Sequence, residues 1–452
     1  MSKTVDMTYG SPAKHILKFA VPLILTNMGQ QLYMIADAAI VGRGVGVKAL
    51  AAVGATDWCY WLILWSVTGM TQGFSTFVSR FFGDKNYRAV NKSIAMSIVL
   101  SILIGIVFTA GGMIAAGPLL TLLKTPADIF DGAYTYLMTM IAGTVIVTLY
   151  NMTSSILRAF GDGKSPLVAM IIAALLNIGL DCLFVFVFKW GIFGAAIASV
   201  TAQLVSFVYC VLKIVKIECV KLDKDIWKFD FTLLKELFVF GFPLALQFVI
   251  VTLGGIILQS SVNLQGSVFI AGYTATNKVY GLLESSAIAV GLSSCTFLAQ
   301  NYGAGNYKRV KRGVVTTTCI VVIMGVAVSV ITYLGRRPLL SLFLDQTEAG
   351  GPEALDVAVH YITIMVAYLV ILFLLHVFRN ALQAMEISIW SMLSGFGELV
   401  ARVVMAKFVI NYMGSDALFV AEPFAWVGAL LFVMIPYFFY QKKLLSNTNQ
   451  HR

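Results

Sequence analysis

The chain has 452 residues, of which 59% are hydrophobic and 12% are charged. A water-soluble domain carries roughly 25% charged residues, so this composition excludes an ordinary soluble enzyme or binding domain. The formal net charge of +10 would by itself suit nucleic acid or an anionic membrane surface, and the positions of the cations decide between these partners.

Long apolar runs recur along the chain from Ile16 to Tyr440. The hydrocarbon core of a bilayer needs roughly 20 apolar residues per helix, which leaves room for about twelve spans and for no soluble domain. Asn27, Gln30 and Gln31 interrupt the first run and no small-residue cleavage site follows, so this run is a permanent helix and not a signal peptide. The sequence therefore predicts an all-α integral membrane protein of about twelve transmembrane helices.

The cations cluster in alternate connectors between the apolar runs. The rich connectors hold Arg80, Lys85, Arg88 and Lys92; Arg158 and Lys164; Lys213, Lys216, Lys221, Lys224 and Lys228; and Lys308, Arg309, Lys311 and Arg312. By the positive-inside rule, this set and both termini are cytoplasmic in a multi-pass protein of the inner (plasma) membrane. The basic residues thus face the lipid bilayer surface, and we expect no nucleic acid partner.

The second half of the chain repeats the first at an offset of about 221 residues. Phe19 and Pro22 recur as Phe240 and Pro243, and Arg158 recurs as Arg379. The pattern FxxxxxGxxNYxxV also appears in both halves, at residues 77–90 and 297–310. Two halves of six helices have the same orientation in the membrane, which predicts a parallel repeat of two pseudo-symmetric six-helix lobes. The predicted boundaries are an N-lobe at 1–215, a cytoplasmic linker at 216–235 and a C-lobe at 236–452.

Ionisable residues inside the apolar runs are few. Each one costs roughly 2.5 to 3.5 kcal/mol on insertion scales, so each is a candidate functional residue. The N-lobe holds Asp37 and Asp181, and the C-lobe holds Lys278, Glu284, Glu398, Arg402 and Glu422.

The C-lobe charges can neutralise one another. Glu398 and Arg402 are one helical turn apart and can form an ion pair. Lys278 is available to Glu284 or Glu422, and Glu422 could instead open the last helix because it precedes Pro423. We interpret this set as mainly structural.

The N-lobe carboxylates lack such partners. The sequence offers no buried Lys or Arg there, only neutral polar residues such as Asn151, Asn177 and Ser199. Two anions in a low-dielectric cavity cannot both ionise cheaply, so at least one should carry a proton or hold a cation. This pattern favours an H+ or Na+ site, although Asp37 could also be a helix-end residue and Asp181 a buried structural hydrogen-bond partner.

Signals for other classes of protein are weak. Gly163, Lys164 and Ser165 resemble the end of a phosphate-binding loop, but Arg158 stands where the earlier glycine is required. We interpret this stretch as a turn before the helix that Pro166 opens. No nucleophile with an adjacent base is visible, so we expect neither an enzyme nor a resident cofactor. A membrane protein that only senses or scaffolds would not explain why the buried charges differ between the two lobes.

Three segments, FAVPLILTNMGQQLYMIADAAIVGRGVG, RFFGDKNYRAV and LLNIGLDCLF, resemble the multidrug and toxic compound extrusion (MATE) family, in particular its DinF-like bacterial and archaeal branch. The resemblance covers nearly the whole chain. It implies twelve helices in two lobes, and export of organic cations and other toxic compounds in exchange for protons or sodium.

The resemblance also implies roles for individual residues. Asp37, Asn177 and Asp181 match the positions that form the N-lobe ion site in that branch, with Asn151 and Ser199 as expected neighbours. Pro22 stands where the first helix is thought to bend, which a proline favours because it frees a backbone carbonyl.

We therefore expect a monomeric antiporter that exports amphipathic cationic small molecules, with H+ or Na+ as coupling ion. The alternative is a lipid or lipid-linked saccharide flippase of the same superfamily. A flippase would need a basic cavity for its head group, and the sequence places no buried cation in the N-lobe.

Overall fold

The structure is a computed structural model that describes residues 4–344, 346–347 and 350–450, without the side chains of Val47 and of residues 444–450. Within these residues every regular element is helical.

The first half of the chain begins with three long helices, followed by shorter ones and a charged connector. They are α1 (Pro12–Gly44), α2 (Val47–Gly83), α3 (Tyr87–Leu122), α4 (Ala127–Ala142), α5 (Thr144–Ala159), α6 (Lys164–Asp181) and α7 (Gly191–Ile214). A π-helical segment, Cys182–Val187, continues α6, and a 3₁₀ turn, Lys224–Trp227, lies in the connector that follows α7.

The second half repeats this order, with a single helix, α11, in the place of α4 and α5. Its helices are α8 (Phe231–Val262), α9 (Ser267–Gly303), α10 (Tyr307–Leu340), α11 (Gly351–Ala384), α12 (Ile389–Val404), α13 (Ile410–Met413) and α14 (Asp416–Gln450). A 3₁₀ turn, Asn263–Gln265, follows α8, and a π-helical segment, Met405–Val409, joins α12 to α13.

Nine of the described helices are long and apolar enough to cross a membrane, and α4 with α5, bent by 48°, makes a tenth span. Helix α1 and the stretch from α12 to α13 complete the twelve helical segments of the described chain. Both contain polar or charged residues, among them Asp37, Glu398 and Arg402, which lower their mean hydropathy. The predicted all-α membrane fold is confirmed.

The contacts within the chain define two compact units. The first unit combines the residues up to Met7 with Val21–Ala245, and the second combines Thr8–Ala20 with the residues from Leu246 onward. The first turns of α1 therefore pack in the second unit, and the first turns of α8 pack in the first. The predicted linear boundaries of the lobes do not include this exchange.

Close helix contact explains how α8 joins the first unit. A Cβ atom on Gly69 would lie 2.8 Å from the backbone of Ala245, and one on Gly73 would lie 2.8 Å from the Cα atom of Gly241. Small residues spaced four apart on both helices let the two backbones approach, which is the usual basis of helix packing in membranes. The rings of Phe77 and Phe240 pack nearby, with centroids 5.4 Å apart.

The second unit has the corresponding crossing between α1 and α9. The Oγ atom of Ser293 donates to the carbonyl of Ile16 at 2.7 Å. Ser293 occupies the repeat position of Gly73, so both units seat the first turns of an incoming helix at the same place.

The turn before α6 forms as the sequence predicts. Asp162 Oδ1 accepts hydrogen bonds from the backbone amides of Lys164 at 3.1 Å and Ser165 at 3.0 Å. These bonds satisfy amides at the start of the helix, and Pro166 lies in its first turn, where a missing N–H costs nothing.

Candidate ion site in the first unit

Three helices of the first unit bring the predicted polar residues together. Asp37 lies on the second half of α1, Asn177 and Asp181 lie one turn apart on α6, and Ser199 lies on α7. Asn177 and Asp181 have no exposed surface and Ser199 is 4% exposed, whereas Asp37 is half-buried. The spacing of four residues places Asn177 and Asp181 on the same helix face, as the sequence indicates.

The carboxyl groups of Asp37 and Asp181 are neighbours and interact with each other. Two neighbouring carboxyl groups in a low-dielectric site cannot both ionise cheaply, so the pair favours a bound proton or cation. The Oδ1 atoms of both residues are buried and lack a hydrogen-bond partner among the described residues. The pair therefore has acceptor capacity left for a further proton or a cation.

Asn177 links the pair to Ser199. With its amide oriented to suit both neighbours, Asn177 donates to Asp181 Oδ2 at 2.8 Å and accepts from Ser199 Oγ at 3.1 Å. The phenol of Tyr33 lies 3.3 Å from the same Ser199 Oγ. The contacts form one polar network across α1, α6 and α7.

Tyr33 was missed by the sequence analysis, although it lies one helical turn before Asp37 on the same face. Tyr136 on α4 was missed as well; it is 8% exposed and interacts electrostatically with Asp37, Tyr33 and Asp57. Asp57 is a further acidic residue within an apolar helix of the first unit, half-buried on α2. Its acidic side chain inside an apolar helix was the signal that could have identified it.

Asn151 is placed differently from the other expected neighbours. Its amide nitrogen donates to the carbonyl of Val147, one turn earlier on α5, at 2.9 Å. Within the part of the chain that the structure describes, it forms no hydrogen bond with Asp37 or Asp181.

A cavity borders the network between α1, α5, α6 and α7. Tyr33 and Ser199 form the side that touches this polar network, and Gln30, Tyr150 and Gln203 form other parts of the cavity wall. The Oε1 atom of Gln203 is buried and has no partner among the described residues. Polar groups with free acceptors suit bound water beside the carboxyl pair.

Helix α1 continues through Pro22 as one helix. The Oγ1 atom of Thr26 donates to the carbonyl of Pro22 at 2.8 Å. The ring of Pro22 removes the amide that would otherwise bond to the carbonyl of Lys18, so the helix is weakened at this turn. Bending of α1 at Pro22 stays a prediction.

The charges of the second unit form an alternating chain, Arg379–Glu398–Arg402–Glu422. Arg379 pairs with Glu398, whose other oxygen accepts from Arg402 Nη2 at 3.0 Å. Arg402 also holds Glu422 through two hydrogen bonds of 3.0 and 2.8 Å. The predicted pairing of Glu398 with Arg402 is present, and Glu422 lies within α14 and does not open it.

Lys278 departs from the expectation. Its side chain is exposed, and no ion pair joins it to Glu284 or Glu422 among the described residues. Glu284 instead interacts with Tyr280 and lies 4.0 Å from His376 Nε2. Arg379, on α11, supplies the second cation of the network, and a role for Lys278 stays a prediction.

Arg158 also differs from its predicted place in a loop. It lies within α5, near the end of the helix, and is half-buried. The first lobe therefore contains one half-buried cation, Arg158, that the sequence did not lead us to expect.

The two units thus present different chemistry. The first offers carboxyl groups that can exchange a proton or bind a cation, and the second holds two guanidinium groups matched by Glu398 and Glu422.

Comparison with known proteins places the chain in a family. The MatE family model matches residues 22–183 and again residues 243–408, and these two matches repeat the halves inferred from the sequence. The probable multidrug resistance protein YpnP of Bacillus subtilis is 31% identical over 311 residues, which cover 68% of this chain and 69% of YpnP. YoeA, a probable multidrug resistance protein of the same organism, is 28% identical over 338 residues, covering 73% of each chain.

A solved structure described as MATE in the bent conformation has the same fold, with a TM-score of 0.91 and 20% sequence identity over 99% of this chain and 100% of that chain. The chain belongs to the MatE family of multidrug and toxic compound extrusion transporters, and it is a multi-span membrane transporter and not an enzyme.

Proposed function

We propose that this transporter exports amphipathic cationic drugs or toxic small molecules in exchange for H+ or Na+. The observation that carries the proposal is the Asp37–Asp181 carboxyl contact. No Lys or Arg of the described residues forms an ion pair with either group, so a mobile cation is the natural partner of the site.

Exchange follows from competition for the same negative charge. An entering proton or sodium ion neutralises the pair and weakens its attraction for a cationic substrate. The neutral pair then favours the state that releases the substrate, because a ligand shifts a conformational equilibrium through its different affinities for the two states. Asn177 and Ser199 supply further oxygen or amide groups that orient the carboxyl groups.

The proposal includes the placement of the protein. Both termini and the connector after α7 face the cytoplasm, since the basic connectors set the orientation. The protein acts as a monomer. Its N-lobe and C-lobe are divided at the 216–235 linker.

Transport into liposomes tests the function. Purified protein is reconstituted, a proton gradient and a sodium gradient are imposed separately, and the movement of a cationic dye such as ethidium is followed by fluorescence. We expect one of the gradients to drive ethidium movement and protein-free liposomes to show none. If neither gradient moves several cationic dyes, the exchange mechanism is wrong.

The alternative is a flippase for lipids or lipid-linked saccharides. The acidic pair of the first unit would repel a pyrophosphate head group, which argues against it. Translocation of a fluorescent phospholipid in the same liposomes, without dye transport, would favour this alternative.

A further inference from the structure

Glu284, on α9, is an acidic residue of the second unit that the arginines leave unmatched. The two guanidinium groups of the charged network are bonded to Glu398 and Glu422. Glu284 is a third carboxyl group, which interacts with both of these acids and with Arg402. No Lys or Arg of the described residues forms an ion pair with it. When all of these groups are ionised, the network therefore carries one unbalanced negative charge.

The direct neighbours of Glu284 are a phenol and an imidazole. Tyr280, one turn earlier on α9, interacts with it, and its Oε1 atom lies 4.0 Å from His376 Nε2 on α11. That nitrogen is buried and has no hydrogen-bond partner in the part of the chain that the structure describes. Arg379, also on α11, interacts electrostatically with His376, and its positive charge disfavours a second one on the imidazole. A neutral imidazole can accept a hydrogen bond from a carboxyl group that carries a proton.

Glu284 is also the most accessible acid of the network. Its side chain is 33% exposed, whereas that of Glu398 is 4% exposed and that of Glu422 is 13% exposed. Because it interacts with groups on α11, α12 and α14, it faces the interior of the helix bundle. Asn380, one turn after His376, is 8% exposed, and its buried Oδ1 atom has no partner among the described residues. An unused acceptor of this kind suits bound water, which can carry a proton to and from a carboxyl group.

The groups around Glu284 suit a proton better than a metal ion. Hard cations prefer several oxygen ligands, whereas Glu284 has a phenol and an imidazole nitrogen beside it. The described residues contain no group of three or more His, Cys, Asp or Glu side chains that could hold a metal ion. One carboxyl group with a polar neighbour is sufficient for a proton.

We propose that Glu284 is a second proton-binding site of this transporter, with His376 as its partner, and that the second unit takes up a proton there in each transport cycle. The proton balances the charge of the network without displacing an arginine from Glu398 or Glu422. The uptake in each cycle rests on the proposed exchange at Asp37 and Asp181, whereas the proton site itself does not.

The His376 ring reports on the site without any transport. The protein is labelled in its histidine ring nitrogens for NMR, and His376→Gln identifies the His376 signals among those of the four histidines. In the wild type, the Nε2 signal should shift as the pH rises from about 5 to about 9, because ionisation of Glu284 places a negative charge 4.0 Å away. Glu284→Gln should abolish the shift. Glu353→Gln is the control and should keep it, because Glu353 is an exposed acid in the first turn of α11.

The limit of ethidium accumulation shows whether this proton is transported. Liposomes contain equal sodium on both sides, and valinomycin with equal potassium holds the membrane potential at zero, so a proton gradient is the only driving force. The final ethidium ratio then equals the proton ratio raised to the number of protons exchanged. With a proton gradient of about tenfold, Glu284→Gln should lower the ethidium ratio about tenfold, because it exchanges one proton fewer. Glu284→Asp, which keeps a carboxyl group, should reach the wild-type ratio.

An unchanged His376 titration in Glu284→Gln would overturn the proton site, and equal ethidium ratios in Glu284→Gln and the wild type would overturn its transport role. An Nε2 signal that shifts with sodium at constant pH would also reject the proton as the ligand. Should Glu284→Gln fail to fold, the wild type decides, because a His376 ring whose signals stay fixed with pH, or become those of an imidazolium, rejects the assignment. A wild type that moves no ethidium contradicts the proposed function, while the histidine titration still decides the proton site.

Discussion

At the scale of single residues, Asp37 distinguishes the two halves of the repeat. Its counterpart is Leu258, a buried apolar residue that is 2% exposed, so the carboxyl group is a property of one unit and not of the scaffold. Asp37 on α1 and Leu258 on α8 occupy corresponding positions of the two halves. An apolar side chain at this position is therefore sufficient for helix packing. The cost of keeping an acid in this place is expected only where the acid has a function.

We predict that Asp37→Asn folds and reaches the membrane but loses nearly all gradient-driven export. The amide is close in size to the carboxyl group and can still donate to Asp181, so the contact between α1 and α6 is preserved. It cannot alternate between ion-bound and ion-free forms, and a permanently neutral group has no differential affinity to drive the cycle. Asp181→Asn should act in the same direction.

Dye export from purified protein in liposomes, at matched protein content, measures this effect. Asp128→Asn is the control, because Asp128 is an exposed acid of the same unit that forms a surface ion pair with Lys48 at 3.2 Å, and such pairs contribute little. Full gradient-driven export of several cationic dyes by Asp37→Asn would contradict the proposed site and direct attention to the acids of the second unit.

At the scale of helices, the crossing of α2 and α8 depends on the absence of side chains. Gly69 and Gly73 on α2 meet Gly241 and Ala245 on α8, and the contact at Gly69 is with backbone atoms. Backbone cannot turn aside as a flexible side chain can. A larger residue must therefore separate the helices.

Gly69→Ala should lower the thermal stability of the detergent-solubilised protein, at a cost of about 1 to 3 kcal/mol for an overpacked contact. Gly54→Ala is the matched control on the same helix, because a Cβ atom there would meet nothing within 4 Å. The control should be neutral or slightly stabilising, since alanine favours a helix over glycine. Equal midpoints for the two variants in a fluorescence-detected melting curve would show that the crossing tolerates separation.

The helices also contain features that no local pattern indicates. The π-helical segment Cys182–Val187 directly follows Asp181. The π-helical segment Met405–Val409 begins about one helical turn after Arg402. Neither segment contains glycine or proline, so sequence alone predicts ordinary helix there. Wider helical turns of this kind occur often at functional positions.

At the scale of the whole molecule, the distribution of positive charge predicts the orientation in the membrane. The connector between α7 and α8 is held against α3, because Asn91 donates to the carbonyl of Cys219 at 3.0 Å and accepts from the amide of Lys221 at 2.9 Å. Lys224 lies in this connector and is exposed. It should be accessible from the cytoplasm and inaccessible from outside.

Cysteine labelling in intact cells checks the orientation. In a protein lacking its native cysteines, Lys224→Cys should resist an impermeant maleimide added outside and react after the cells are opened. Asp128→Cys, in the first turn of α4 beside a connector poor in cations, should react from outside. The reverse labelling pattern would mean that the protein is inverted relative to the prediction.

The sequence by itself determined the membrane fold, the repeat and most residues of the candidate ion site. Apolar length, charge placement and the spacing of Asn177 and Asp181 are local properties of the chain, and the low-dielectric solvent makes each of them a strong constraint. Asp37 could be singled out because an acid in an apolar run is costly wherever the helix packs.

The tertiary structure decided which of these residues meet. The contact of Asp37 with Asp181, the approach of Tyr136, and the pairing of Glu422 with Arg402 all join different helices. Such contacts depend on the rotation of each helix about its axis, which hydrophobic spacing in a membrane constrains weakly because lipid and protein interior are both apolar. For the same reason Lys278 was assigned a partner that it does not contact, and the lone guanidinium of Arg158 became visible only in the folded unit.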